Sequence, residues 1–236
     1  MNFDIQFAIR AFPKILEAAP ISVFITVVSI IMGLIIALFI TLVRTNKVPI
    51  LNQLTKIFIS FVRGTPLIVN LYILYFVVPY LISELNNKMG WHINANNVNP
   101  YVIAIIAFSL SSAAFLSEII RSALSSVDKS QSEAAYSVGL TKFQTLRRIV
   151  IPQALIVATP NLGNIFLSLM KGTSLAYAVS VVELLGKAKI EAAEGFNFME
   201  AYVDVAIIYW IISFIFEKFF SIFESRLKSY KKEVTM

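Results

Sequence analysis

Long apolar runs alternate with short charged connections along this chain. From Ile21 to Val43 there is no Asp, Glu, Lys or Arg, and at about 1.5 Å per helical residue the run exceeds the roughly 30 Å hydrocarbon core of a bilayer. The same pattern predicts spans at about 64–83, 100–120, 152–186 and 201–223. The helix of the second span can begin earlier, through IFISFVR, which would carry Arg63 into the bundle. Residues 1–19 place Ile5, Ile9, Phe12 and Leu16 at helical spacing, interrupted by Pro13, and predict a lead-in lying along the membrane surface. Between the second and third spans an asparagine-rich stretch, LNNKMGWHINANNVN, reads as an aqueous loop. Trp91 and Tyr101 flank it as aromatic-belt residues. The SLSSAAF run of the third span offers small side chains for close helix contact.

One segment breaks this pattern. Ser130–Pro152, SQSEAAYSVGLTKFQTLRRIVIP, is amphipathic and compatible with water. Ser130 with Glu133 has capping-box spacing, Gly139 can close a helix in the left-handed conformation, and Thr141 with Gln144 repeats the box. Two short helices are predicted, the second running toward Pro152, which cannot donate to a helix ladder.

Composition narrows the class. Hydrophobic residues make up 58% of the 236 residues and charged ones 14%, with a mean hydropathy of +0.77, so the fold class is an all-α membrane protein of about five transmembrane helices. There is no cysteine and a single histidine, His92, which argues against disulfides, thiolate metal sites and catalysis in this chain; no metal site is expected. The start lacks the order of a cleaved signal peptide, because Asp4 precedes Arg10 and no short apolar core with a cleavage site follows.

Charge position fixes the expected topology. Five spans with the N-terminus outside and the C-terminus inside place fourteen basic residues in inner connections, among them Arg44, Lys56, Arg121, Arg147, Arg148 and Lys228. Arg10, Lys14, Lys88, Lys187 and Lys189 lie outside, and Lys171 is uncounted. Six spans would place a basic group on the wrong side. Residues 149–186 are therefore read as one span, interrupted near Lys171-Gly172. The polar segment at 130–152 then lies in the cytoplasm.

That segment carries a resemblance. Glu133-Ala134-Ala135, three residues, Gly139, nine residues, Ile149, one residue and Ile151-Pro152 resemble the EAA loop of ABC importer permeases, with Ile151 where leucine is usual. Arg63-Gly64-Thr65-Pro66-Leu67, Ser117-Glu118-Ile119-Ile120-Arg121 and Lys171-Gly172-Thr173-Ser174-Leu175 are similar to segments of the polar amino acid branch, with Ser122-Ala123 where GG is more usual. The resemblance implies a type I ABC importer-like permease in the bacterial cytoplasmic membrane. It implies a second permease chain, identical or related, an extracytoplasmic substrate-binding protein, and partner ATPase subunits that bind ATP and Mg. No cofactor is implied for this chain, and the substrate would be a polar amino acid such as cystine. Glu133, Ala134, Ala135, Gly139, Arg147, Arg148 and Pro152 would form the coupling element. The chain lacks G-x-x-x-x-G-K-[ST]; its one Gly-Lys pair, Gly186-Lys187, is followed by alanine.

Polar groups at membrane depth are candidates for a substrate path: Arg63, Asn70, Asn161, Asn164, Lys171, Thr173, Ser174 and Glu183. A zwitterionic substrate needs both an anionic and a cationic partner, so Lys171 or Arg63 with Glu183 is a chemically sensible pair. Interhelical pairing of Arg63, Glu118, Arg121 and Lys171, and helix–helix hydrogen bonding of the asparagines and hydroxyls, are the competing readings. Two other functions fit parts of the pattern: an ATP-independent secondary transporter or channel, and a membrane-tethered helix-turn-helix regulator, for which the basic second helix after Gly139 is the cue. In the first reading membrane lipid is the surrounding partner and nucleic acid is not bound.

Overall fold

The computed structural model describes residues 3–94 and 97–234, and the elements of these residues are helical. The helices are α1 (Ile5–Leu16), α2 (Ala19–Thr45), α3 (Leu51–Gly64), α4 (Leu67–Met89), α5 (Pro100–Ser125), α6 (Lys129–Ser137), α7 (Lys142–Thr145), α8 (Ile151–Gly172), α9 (Leu184–Ala193) and α10 (Phe198–Val234). Among the described residues, five helical stretches are long and apolar enough to cross a membrane: Ile5–Thr45, Leu67–Met89, Pro100–Ser125, Lys142–Val179 and Phe198–Lys228.

The bundle is built around α2 against α5. In a bilayer, lipid competes equally for apolar surface, so close backbone approach and hydrogen bonds decide which helices associate. Ser109, Ser111, Ser112, Ala113, Ala114 and Ser117 of α5 are buried. Opposite them is Gly33, where an added Cβ would lie 2.0 Å from Ser112 Oγ. Ser112 Oγ donates to the Ser29 carbonyl at 3.0 Å. At one end of this seam the Arg44 guanidinium of α2 donates to Glu118 of α5, which also accepts from Arg121 at 2.8 Å.

The lead-in is a continuous helix rather than a segment broken at Pro13. The carbonyl that Pro13 leaves without a partner belongs to Ile9, which is exposed, so the loss falls on an outer face. The inner face is Phe7, Ala11 and Ile15, packed against Leu184 and Ala188 of α9 and Val205 and Ile208 of α10. Of the anticipated stripe, Ile5, Ile9 and Leu16 are exposed, while Phe12 packs against the inner cluster. Lys14 and Lys187 bind Glu191 at 3.1 and 2.9 Å, tying α1 to α9. Hydrogen bonding and attraction from Lys187, then Lys14, hold the Glu191 carboxyl below the usual range.

Two span boundaries differ from the sequence reading. The expected span at 64–83 is α4, which begins after an extended break at Thr65-Pro66, so Arg63 closes a separate helix, α3. The long interval 152–186 holds α8, a 3₁₀ segment Thr173–Val179 and a turn before α9 starts at Leu184. Lys171-Gly172 marks where α-helix becomes 3₁₀; the chain reverses at Ser180, whose φ is +66°. The ten residues of α9 reach about 15 Å and are too short to cross a bilayer, so the interval supplies one crossing.

Candidate coupling and translocation sites

The polar segment folds as a compact knob. Asp128, rather than the Ser130–Glu133 box, caps α6: its carboxylate accepts from Ser130 N–H at 2.8 Å. An ionised acceptor placed two residues earlier outcompetes a hydroxyl, which puts Ser130 inside the helix. The Ser130 N–H, and then its hydroxyl, hold the Asp128 carboxyl below the usual range. At the other end Gly139 adopts φ +81°. Leu140 N–H donates to the Ala135 carbonyl at 3.1 Å and Gly139 N–H to the Tyr136 carbonyl at 2.9 Å; this is the paired closure that a left-handed residue permits. Thr141 and Gln144 form the reciprocal box in full.

The second knob helix does not stop at Pro152. Four residues of α7 pass into a π turn, Leu146–Val150, and then directly into α8. A proline ring clashes with the carbonyl four residues back; the wider turn, with Ile151 N–H reaching the Leu146 carbonyl, relieves that conflict and lets Pro152 sit in the first turn of α8. This geometry removes the helix-turn-helix reading, because no free second helix exists to enter a groove. It also makes the knob and the fourth span one continuous rod.

On the knob, Glu133, Ala134, Gly139, Arg147 and Arg148 are exposed, Pro152 is half-buried, and Ala135 is buried. Ala135 thus holds the knob together, whereas Ala134 and the charged residues face outward. Sequence reasoning missed the exposed Tyr136, Val138 and Phe143, at 48, 77 and 69%. Their signal was apolar side chains inside a solvated segment, the pattern of an interface anchor.

Along α8, Asn161, Asn164, Ser168 and Lys171 are all exposed. At about 100° per residue they fall within roughly 80° of one another, a single polar stripe on a membrane-length helix. Among the described residues, Asn161, Asn164 and Lys171 have no side-chain hydrogen bond or ion pair. Ser168 also lines a cavity of about 250 Å³ with Thr65, Ser111 and Ser112. Ser168 was not singled out from sequence, although it sits four residues after Asn164 and three before Lys171.

The other candidates divide. Arg63 is exposed and its guanidinium lies 5.4 Å from the Phe115 ring centroid. Asn70 Oδ1 is 2.9 Å from the Thr65 hydroxyl, and its Nδ2 is buried without a partner among the described residues. Ser174 Oγ donates to the Lys171 carbonyl at 2.9 Å, while Thr173 is buried and bonds the Met170 carbonyl at 2.7 Å. Glu183 is fully buried. Its carboxylate accepts from Tyr209 at 2.6 Å and Ser22 at 3.3 Å, and caps α9 through Gly186 N–H at 3.0 Å. Glu183 thus spends its carboxylate on protein donors, whereas Lys171 and Arg63, the cationic candidates for the two ends of a zwitterionic substrate, are exposed. A carboxylate with these hydroxyl and amide donors needs no cation, and here it fastens α2, α9 and α10 around the break.

A membrane-length helix that is polar on one face therefore runs directly into a polar knob. The family model of the binding-protein-dependent transport system inner membrane component matches residues 29–229, and the chain belongs to that family; it is a permease subunit of an ABC importer. It is 40% identical over 223 residues to the probable amino-acid permease protein YxeN of Bacillus subtilis (strain 168), covering 94% of this chain and 95% of that one. It is 38% identical over 226 residues to the L-cystine transport system permease protein TcyL of the same organism, covering 96% and 92%. A crystal structure of an amino acid ABC transporter with histidines superposes with a TM-score of 0.82 at 27% identity, covering 96% of this chain and all of that one. The inward-facing MetNI methionine ABC transporter, at 17% identity and TM-score 0.56 over 92% of this chain and 96% of that one, shares the fold.

Proposed function

We propose that this chain carries a polar amino acid, cystine or a similar neutral one, across the bacterial cytoplasmic membrane, driven by ATP hydrolysed in a partner subunit. The observation that supports it most is the unpartnered stripe Asn161–Asn164–Ser168–Lys171, because polar groups at membrane depth without protein partners must face water, substrate or another chain. The names of YxeN and TcyL support the amino acid class. The N-terminus lies outside and the C-terminus inside, following the basic residues. Two permease chains, identical or related, enclose the path, an extracytoplasmic binding protein delivers substrate, and ATPases that hold ATP and Mg dock on the knobs.

In this reading Lys171 meets the substrate carboxylate, and Asn161, Asn164 and Ser174 offer amide and hydroxyl partners along the way. Arg63, Asn70 and Thr173 border the same region, while Glu183 acts by holding its walls. ATP-driven closure of the ATPases moves the knob, and the continuous rod of α8 transmits that motion to the stripe. The test is uptake of labelled cystine and competing amino acids into vesicles holding the full importer. Lys171→Ala is expected to lower uptake about tenfold, the loss of one charge-assisted contact, with ATPase assembly intact. Unchanged uptake would remove Lys171 from the path.

A further inference from the structure

A second binding surface lies away from the stripe. Between α2, α5 and the start of α8 runs a groove of about 360 Å³, walled by Leu38, Leu42, Leu124, Leu146, Leu155 and Leu162, with Ala158 at its base. On α8 the wall residues Leu155 and Leu162 sit roughly 100–120° around the helix from Asn161, and Ala158 at the base about 60° from it. Its wall is apolar throughout except for Thr41. Leu38, Leu42, Leu146 and Leu155 are between 42 and 61% exposed.

Four arginines neighbour the residues of this groove along the chain. Arg44 lies one turn beyond Thr41 on α2 and Arg121 one turn before Leu124 on α5. The two share the single carboxylate of Glu118, which leaves one uncompensated positive charge. Arg147 and Arg148, both exposed, stand in the π turn between the wall residues Leu146 and Ile151. Apolar walls within the spans, with four arginines within a turn of wall residues along the chain, match one molecule of the surroundings: a phospholipid with an anionic headgroup. Guanidinium forks bind phosphate oxygens in pairs, and a basic pocket between membrane helices on the cytoplasmic side is where anionic lipid concentrates.

We propose that this groove holds one acyl chain of an anionic phospholipid whose headgroup phosphate is bound by Arg121, Arg147 and Arg148. Because Leu146 and Ile151 bracket the π turn, the lipid packs against the joint between knob and span. The cytoplasmic side for this end rests on the topology proposed above; binding of the lipid itself does not depend on which amino acid is carried.

The test uses the full permease in nanodiscs of phosphatidylcholine with a minor fraction of phosphatidylglycerol. Native mass spectrometry is expected to show phosphatidylglycerol retained several-fold over its share. Arg147→Ala with Arg148→Ala should lower that preference, by roughly fivefold per charge removed. Both residues are exposed, so the fold survives their loss. In a second arm Leu155→Trp reports the occupant by its fluorescence, which phosphatidylglycerol brominated along the acyl chain should quench more than the phosphatidylcholine analogue does. Equal retention or equal quenching of the two lipids overturns the proposal. So does a preference that survives the arginine substitutions, or an introduced indole that neither lipid quenches, which would mean that protein covers the groove. Retained uptake by the importer alongside such a result would leave the proposed transport function standing.

Discussion

The α2–α5 seam and the stripe of α8 use the same kind of residue to opposite ends. Both are rows of small or polar side chains on membrane-length helices. In the seam the hydroxyls of Ser29, Thr41, Ser109, Ser112 and Ser117 each find a carbonyl, Ser112 across it at Ser29 and Ser109 on its own helix at Ile105, and Gly33 lets the backbones close. Along α8 the Asn161 and Asn164 amides and the Lys171 ammonium find nothing among the described residues. The difference teaches that polarity alone does not mark a path through a membrane protein; the proposed path rests on polarity left without protein partners.

That contrast breaks most readily at the seam. Gly33→Val forces a side chain into the space held by Ser112 Oγ and should cost about 3 kcal/mol, the upper end of overpacking penalties; thermal unfolding in detergent would show it, and an unaltered midpoint would mean that the helices are not so close. Ser112→Ala removes one interhelical hydrogen bond and should cost only about 0.6 kcal/mol. A loss of several kcal/mol there would show that hydrogen bonding, rather than close approach, holds the seam.

The smallest effect concerns the start of the knob. The Asp128 carboxyl sits below its ordinary value because it accepts from Ser130 in the folded knob. A lowered folded value means that the cap stabilises α6 above the ordinary carboxylate pKa and loses that contribution as pH falls through the lowered one. Amide exchange at Ser130 should therefore accelerate as the solution is acidified into that range, beyond the intrinsic pH trend, and Asp128→Asn should abolish the extra change.

Much of the fold was legible because uncharged runs of membrane length have few alternatives. The single crossing in 149–186 followed from the distribution of cations, and the short α9 agrees with it. Local stops were harder. Pro152 reads as a terminator by its missing N–H, yet a π turn before it removes the clash, and hydrophobic periodicity contains no sign of that extra residue. Ser180 turns the chain at a positive φ with no glycine to announce it. Asp128 was passed over because Ser130 and Glu133 fit a two-residue pattern, whereas a lone carboxylate before a helix is less conspicuous. The knob residues Gly139 and Thr141 were readable because their roles are local. Glu183 was not, since Ser22 and Tyr209 come to it from distant parts of the chain.

The central claim is that the ATP cycle of another subunit enters through the knob and travels along α8. Glu133 is exposed on the knob and bears on no internal ion pair among the described residues, while Gly139 alone supplies the left-handed closure there. Binding of the partner ATPase and ATP-driven uptake should be measured together for Glu133→Arg and Gly139→Val, with the thermal midpoint of the permease as the control for folding. The account predicts that both binding and uptake fall sharply in each variant while Glu133→Arg keeps the wild-type midpoint. Full binding and full uptake in both variants would contradict it.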